Sequence, residues 1–414
     1  MRAFSLSACL RSVSVVTTAV VLTACGGSSD GGGGKETGIF VDSPVAGIGY
    51  RTFDETETQT GQGTTNANGE FRYTEGETVQ FFIGEIILSD AFTPASSVVT
   101  VLDITEAADT DDQFALNIAR LLQSLDEDND PSNGISIPAD AATAADTPID
   151  LDVDKTAFEN AVADLMTDTG NTLISESEAQ DNLEEGVENG DILAALLNST
   201  VLFSEPNGIG GTAYVAIVYD ENGTLDDYHT DEDGQAESVE YTDAYVAVLS
   251  NGTWELEGDE LIETIDGPES YFLELDGDEF YYYETANDKD LGPGNEEGIV
   301  TISPAFEAGK LVGNTYDLTI PLSISQSQFP VEIVFNANGQ GTLKDDDEIT
   351  PEAITWSINE YGHLVLGFSD GEVIIFAEEL SESGGDYDEI SIIAYETFPG
   401  IEEMFAGTML IDAP

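Results

Sequence analysis

Positive charge is what this sequence lacks most. Ten Lys and Arg stand against 83 Asp and Glu, a formal net charge of −73. So acidic a surface repels phosphate backbones and anionic headgroups, which excludes nucleic acid as a partner. Cysteine is almost as scarce. Cys9 and Cys25 are the whole complement, so the chain beyond residue 25 has no thiol for a disulfide, a zinc site or a nucleophile. Histidine is limited to His229 and His363. They are far apart, neither has the close His partner of a zinc site, and both read as ordinary turn residues. Long apolar runs are missing too. Val13 to Leu22 is apolar over about ten residues, short of the ~18–20 that a membrane-spanning helix needs. No Walker-type glycine loop occurs, and the tetraglycine Gly31–Gly34 precedes no helical pattern. Carboxylate pairs of the kind that hydrolyse glycosides are everywhere, so none is informative. The chain reads as non-enzymatic.

What is present is core-forming material. Hydrophobic residues make up 41% of the chain, with 19 Phe and 15 Tyr, enough to offset acidity that would otherwise imply disorder. Two readings of the charge stay open: a folded protein from a salty habitat, where ions screen self-repulsion, or a binder of Ca²⁺ or cationic surfaces. A length of 414 residues allows about two to four domains.

The N-terminus carries an address. Arg2 and Arg11 precede the apolar segment, and Leu22-Thr23-Ala24-Cys25 ends it, followed by a Gly/Ser-rich stretch. This run resembles the lipobox of bacterial lipoproteins. The resemblance implies a signal peptide over 1–24, lipidation of Cys25, and a membrane held through the N-terminal lipid. Gly26 rather than Asp after the cysteine implies passage to the outer membrane, on an undetermined face. Two or three acyl chains anchor stably where one does not. Residues 25–38 read as a flexible tether with a reach of roughly 20 Å.

Residues 39–104 alternate as strands. The opening Asp42-Ser43-Pro44-Val45-Ala46-Gly47, the centre Thr64-Thr65-Asn66-Ala67-Asn68-Gly69-Glu70-Phe71 and the close Gly76-Glu77-Thr78-Val79 resemble the carboxypeptidase-regulatory-like, transthyretin-like β-sandwich. That resemblance implies a spacing or binding module. The N-terminal half, including Asn117-Ile118-Ala119-Arg120-Leu121-Leu122, is also similar to lipoproteins of marine proteobacteria of unassigned function.

Residues 105–197 turn helical. Phe114, Ile118, Leu121, Leu122 and Leu125 share one face, with Asp109, Thr110 or Asp111 as the cap. Phe158, Val162, Leu165 and Met166 mark a second helix after Asp154, and Glu178–Val187 and Asp191–Leu197 are two weaker candidates. From residue 198 β patterns return, and their order recurs. Leu196–Val201 is echoed at Leu311–Tyr316, Tyr214–Gly223 at Val331–Gly339, and Thr253-Trp254-Glu255-Leu256 at Thr355-Trp356-Ser357-Ile358. The drifting offset places extra residues near His229–Val246 in the first copy. Related meanders over 198–305 and 306–414, or chance likeness among acidic hairpins, both account for this. Each unit resembles a lipocalin-type meander, without the Gly-x-Trp opening. The expected fold class is therefore mainly β with a helical insert, α+β and multi-domain: a small β-sandwich, a helical segment, then two barrel-like meanders.

One loop has the spacing of a cation site. Asp126, Asp128 and Asp130 alternate after a helix, and Asn133 adds an oxygen, as calcium requires. The loop resembles the start of an EF-hand but has Pro131 at the glycine position and Ile137 at the bidentate glutamate position. A solvated helix-ending turn is the competing reading. Asp231-Glu232-Asp233-Gly234 and Asp345-Asp346-Asp347 are weaker versions. The aromatic run Phe280-Tyr281-Tyr282-Tyr283 sets alternate rings on opposite faces of a strand. No cofactor other than calcium is called for. The expected function is a lipid-anchored envelope protein presenting binding or adhesion modules to an envelope or extracellular protein, a glycan or an apolar ligand. A lipocalin-like carrier of a lipid or hydrocarbon is the alternative, and an envelope hydrolase the third reading.

Overall fold

The computed structural model describes residues 35–411 apart from 207–211, 236–244, 258, 266, 277–278, 284, 287–288, 290–297, 323–326, 346–350, 370, 384–385 and 399–400. As the alternation implies, the chain is mainly β, with a helical segment and two closed barrels.

The first strands are β1 (Lys35–Val41), β2 (Val45–Ala46), β3 (Gly49–Phe53), β4 (Gln59–Thr64), β5 (Glu70–Thr74), β6 (Thr78–Ile83), β7 (Ile86–Ile87) and β8 (Val98–Thr100). All but β2 form two small sheets, β5-β1-β8 and β4-β3-β6-β7. The sheets meet through aromatic rings: Phe81 lies 4.6 Å from Phe40 and 5.0 Å from Phe71, centroid to centroid. Residues 35–38, expected in the tether, are instead the first half of β1, with Lys35 paired to Thr74. Gly38 is a site of close approach, because a Cβ there would lie 2.2 Å from the Phe71 ring.

The helices are α1 (Val101–Thr105), α2 (Gln113–Leu125), α3 (Ala139–Ala144), α4 (Lys155–Thr169) and α5 (Glu176–Leu196), with β9 (Ile135–Ser136) between α2 and α3. The helix expected after Asp154 is α4, and Asp154 is its cap. The cap of α2 is Asp112, one residue beyond the candidates, and it accepts from the Phe114 and Ala115 N–H groups. The two weak candidates near 178 and 191 are a single helix, α5, capped by Ser175. Gly186 and Gly190 do not break it, although glycine costs about 1 kcal/mol in a helix interior. They let α5 lie directly on β1: a Cβ at Gly186 would meet the Asp42 backbone at 3.0 Å, and one at Gly190 the Val41 side chain at 2.9 Å. Sheets and helices bury one continuous core, from Phe40 and Phe71 to Leu121, Phe158 and Leu183. The expected division at 104/105 is therefore not a division of the core.

The first barrel comprises β10 (Ser199–Pro206), β11 (Thr212–Tyr219), β12 (Thr224–Gln235), β13 (Tyr245–Glu257), β14 (Glu260–Thr264), β15 (Pro268–Asp276), β16 (Glu279–Tyr283) and β17 (Gly298–Ile302). Neighbours in sequence pair antiparallel, and β17 pairs back onto β10. After the short α6 (Ala308–Leu311), the second comprises β18 (Thr315–Leu322), β19 (Ser327–Asn336), β20 (Gln340–Asp345), β21 (Glu352–Ile358), β22 (Leu364–Gly367), β23 (Glu372–Ser383), β24 (Asp386–Phe398) and β25 (Ile401–Ile411), and closes through β25 on β18. Both are up-and-down barrels. The extra residues of the first copy lengthen β12 and β13 relative to β20 and β21.

Each barrel has a helical plug. Ile192 and Leu196 of α5 pack into the lower end of the first, against Leu273 and Phe280. Leu311 of α6 does the same for the second. The barrels share a seam. Val218 and Tyr228 face Phe376, Ile393, Tyr395 and Met404 across it, and Tyr245 of β13 pairs with Met404 of β25. Strands at the seam are buried on both faces, so Ile392-Ile393-Ala394-Tyr395 is an unbroken apolar run rather than an alternating one.

Candidate functional site

The two barrels correspond in detail around their tryptophans. The Trp254 N–H donates to Gly223 O and the Trp356 N–H to Gly339 O, both at 2.9 Å. Each indole N–H donates to the carbonyl three residues before that glycine, Asp220 O at 3.0 Å and Asn336 O at 3.1 Å. Gly223 and Gly339 both have positive φ, +74° and +70°, which glycine adopts without strain. Trp254 stands edge-on to Tyr219 at 5.5 Å, and Trp356 to Phe335 at 5.3 Å. This is a true structural repeat.

The interiors nevertheless differ. Glu263 pairs with Trp254 where Leu366 pairs with Trp356. Asp227 pairs with Ile217 where Leu343 pairs with Ile333. Tyr271 pairs with Leu261 where Ile375 pairs with Leu364. With Tyr219 in place of Phe335, four inward positions that are apolar in the second barrel are polar in the first.

These residues are joined. The Tyr219 hydroxyl donates to Glu263 Oε1 at 2.5 Å. Glu263 is only 7% exposed, and burial pushes its carboxyl up to about 7, against the lowering effect of the Tyr219 bond. Burial likewise carries the Tyr219 phenol well above its ordinary value, with the Glu263 and Asp227 charges adding to it. Asp227 Oδ2 lies 3.0 Å from His229 Nδ1, and its buried Oδ1 has no hydrogen-bond partner. The Tyr271 hydroxyl donates to Glu269 at 2.9 Å, and the ring meets Tyr282 edge-on at 5.9 Å. Exposure rises along the barrel axis. Leu225, Leu261, Leu273 and Phe280 are buried at the plugged end; Tyr271, Tyr282 and His229 are half-buried, and Glu269 and Val248 exposed, toward the other. The interior is a cup with an apolar floor and a polar upper wall.

The sequence did not point to this cup. The signal was there in the echo, since aligning the copies sets Tyr219, Asp227 and Glu263 against Phe335, Leu343 and Leu366. Of the two histidines, His229 is on β12 rather than in a turn. His363 closes the turn between β21 and β22, where Asn359 N–H donates to its carbonyl at 3.0 Å, and it is buried there with its Nε2 2.6 Å from Thr200 Oγ1. In the aromatic run, Phe280 and Tyr282 face inward, and Tyr283 is buried on the outer face, donating to Glu274 at 2.8 Å.

The acidic loop is drawn in on itself. Asp126 Oδ1 accepts from Ser136 N–H at 2.8 Å, and Oδ2 from Asp130 N–H at 3.0 Å. Asp128 Oδ1 accepts from the same Asp130 N–H at 3.0 Å. Burial, followed by the contact with Asp128, raises the Asp126 carboxyl. Asn133, expected to offer an oxygen, instead donates its amide N–H to Asp128 Oδ2 at 3.1 Å. Among the described residues, no three His, Cys, Asp or Glu side chains are disposed to hold a metal ion. The backbone of Asp231–Gly234 runs within β12, and that of Asp345 ends β20. Cys25, with the rest of the run that resembles a lipobox, and Asp346 and Asp347 lie outside the described residues. Outside the barrels, a groove of about 630 Å³ runs between α5 and β15, lined by Glu184, Glu188, Asp191 and Leu275 among others. Lys289 lies beside it, bonded to Glu188 and Asp259 at 3.0 and 2.6 Å.

No family model matches the chain, and no curated protein does. Among solved structures, a porin-like protein from Bacteroides uniformis aligns with 51% of this chain and 94% of its own, at 8% identity and a TM-score of 0.14. A likeness that low carries no argument. The barrels themselves are informative. Asp317, Glu332, Thr342, Lys344, Thr355 and Ser357 point outward from the second, and its interior is filled by Val, Ile, Leu, Met, Ala, Phe, Tyr and Trp. A membrane-spanning barrel has the reverse pattern, apolar outside and polar within. Among the described residues no helix is long and apolar enough to cross a membrane.

Proposed function

We propose that the chain is a lipid-anchored protein of the cell envelope, held at the outer membrane through Cys25, that presents non-enzymatic binding modules. One observation carries this reading: the second barrel is polar outside and apolar inside, and it is fused to the first along a buried seam. Such a body is solvated by water and suits display beyond a membrane rather than insertion into it. The second barrel supports a scaffold role, because Tyr316, Phe335, Trp356 and Phe405 fill its interior. The first supports a carrier role as a second reading, because its interior is polar and opens at one end.

The test is fractionation of the full chain. Cys25→Ser blocks acylation, and the variant is expected in the soluble fraction while the parent stays with membranes. A variant that remains membrane-bound after a high-salt wash would overturn the anchor.

A further inference from the structure

We propose that the upper half of the first barrel is a binding cup for a primary ammonium group carried on a small apolar body. The inference gives the proposed binding role a ligand class.

The wall offers acceptors that lack donors. Glu263 uses Oε1 to accept from Tyr219, and its other oxygen has no donor among the described residues. Asp227 Oδ1 is buried without a partner. A buried carboxylate oxygen left unpaired is costly, and a group that both donates and is positive relieves it. An ammonium supplies three N–H donors and one charge. A metal ion matches the geometry less well, because no three acidic or imidazole side chains among the described residues converge as ligands. The apolar body has a seat as well. The Tyr271 and Tyr282 rings stand at 86° to each other on the same wall, and aromatic faces attract cations within about 6 Å.

The second barrel supplies the independent argument. The same fold closes with Phe335, Leu343 and Leu366 at the positions of Tyr219, Asp227 and Glu263. Barrel closure therefore does not require the polar set, and burying it costs stability. Groups retained at such a cost in a cup open to solvent are accounted for by a ligand.

The experiment is isothermal titration of the full-length protein in detergent with benzylammonium chloride, and with benzyl alcohol as the neutral analogue. A background of about 0.5 M NaCl screens long-range attraction to the acidic surface. The parent is expected to bind benzylammonium saturably at one site, and benzyl alcohol about tenfold more weakly or not at all. The variant Tyr219→Phe, Asp227→Leu, Glu263→Leu copies the second barrel and is expected to lose benzylammonium about tenfold or more. Should its thermal melt show that it does not fold, the isosteric Glu263→Gln decides, with the same loss expected. Absence of saturable binding, equal binding of the alcohol, or undiminished binding by Glu263→Gln or a folded triple variant overturns the proposal. Because the titration is done in solution, its outcome is independent of whether Cys25 is lipidated.

Discussion

His363 and Thr200 join the two barrels through one buried hydrogen bond, Nε2 to Oγ1 at 2.6 Å. Asn359 sets its direction. Its Oδ1 accepts from the Tyr361 and His363 N–H groups at 3.1 and 2.9 Å, which turns its amide nitrogen toward His363 Nδ1 at 3.2 Å. Nδ1 is then the acceptor, and the proton on Nε2 is donated to Thr200. A second proton on Nδ1 would face a donor.

Burial accordingly lowers the His363 pKa from 6.5 to about 4. A base held neutral in the fold contributes stability fully above its unfolded value and loses it as pH falls through the window from 6.5 to 4. The shift corresponds to about 3 kcal/mol at most. His363→Gln keeps a donor without the titration. The stability difference between parent and variant, from urea unfolding, is expected to fall by about 2 kcal/mol between pH 7 and 4.5. A difference that stays constant across that range would show that the imidazole does not titrate there.

Asp42 has the opposite sign. It is 1% exposed, accepts from Gln123 Nε2 at 3.1 Å, and has a second oxygen without a partner. Burial raises its carboxyl to about 7, against a lowering by Gln123. An acid whose folded value is raised destabilises the fold as pH climbs from 3.8 to 7, with the whole cost present above 7. Asp42→Asn keeps the acceptor for Gln123 and removes the charge. It is expected to stabilise the protein by about 2 kcal/mol at pH 8 and to leave it unchanged at pH 3.5. Destabilisation at pH 8 would mean that the fold requires an ionised Asp42.

Period and punctuation made much of this fold legible. Phe114 to Leu125 gave α2 its buried face, Asp154 announced α4, and the Asn-Gly turns with their tryptophans located both barrels. What stayed hidden depends on contacts distant in sequence. Gly186 and Gly190 look like helix breakers until β1 is seen beneath them. The run from Ile392 to Tyr395 fits a buried helix as well as a strand until the seam buries its second face. The polar cup was hidden because Asp and Glu are so common here that composition masks which of them face inward. Only the strand register separates Glu263 from its exposed neighbours.

The acidic surface is itself an energetic term. Without the proposed signal peptide, and so without Arg2 and Arg11, 8 basic residues would face 83 acidic ones, a charge of −75. Few of them are neutralised by ion pairs, for the described residues hold only five Lys or Arg pairs with carboxylates beyond Arg120 with Glu159. Raising NaCl from about 10 mM to 1 M shortens the Debye length from about 30 to 3 Å, and the melting temperature is expected to rise by about 5 °C or more. An equal rise with sucrose at matched osmolality, or no rise, would show that repulsion is not a significant term.

The Asp126 loop separates a staple from a cation site. Asp126 is 2% exposed, and its two oxygens accept the N–H groups of Ser136 and Asp130. These bonds hold the chain as it leaves α2 and turns into β9, where Ile135 pairs with Val45 of β2. Asp126→Ala would strand the Ser136 amide proton and leave the Asp130 N–H to Asp128 Oδ1 alone, and a buried unsatisfied donor costs about 1–3 kcal/mol. A loss of about 2 kcal/mol is expected from urea unfolding, with Asp126→Asn losing less because one acceptor remains. A calcium ligand behaves differently: at a dissociation constant of about 10⁻⁴–10⁻³ M, millimolar Ca²⁺ would add about 1–2 kcal/mol to the parent and nothing to the variant. With the four carboxylate oxygens of Asp126 and Asp128 already accepting bonds within the loop, the cost of Asp126→Ala is expected to be the same with and without Ca²⁺ at constant high NaCl. A cost that grows by 1 kcal/mol or more when about 5 mM Ca²⁺ is added would reassign the loop to calcium.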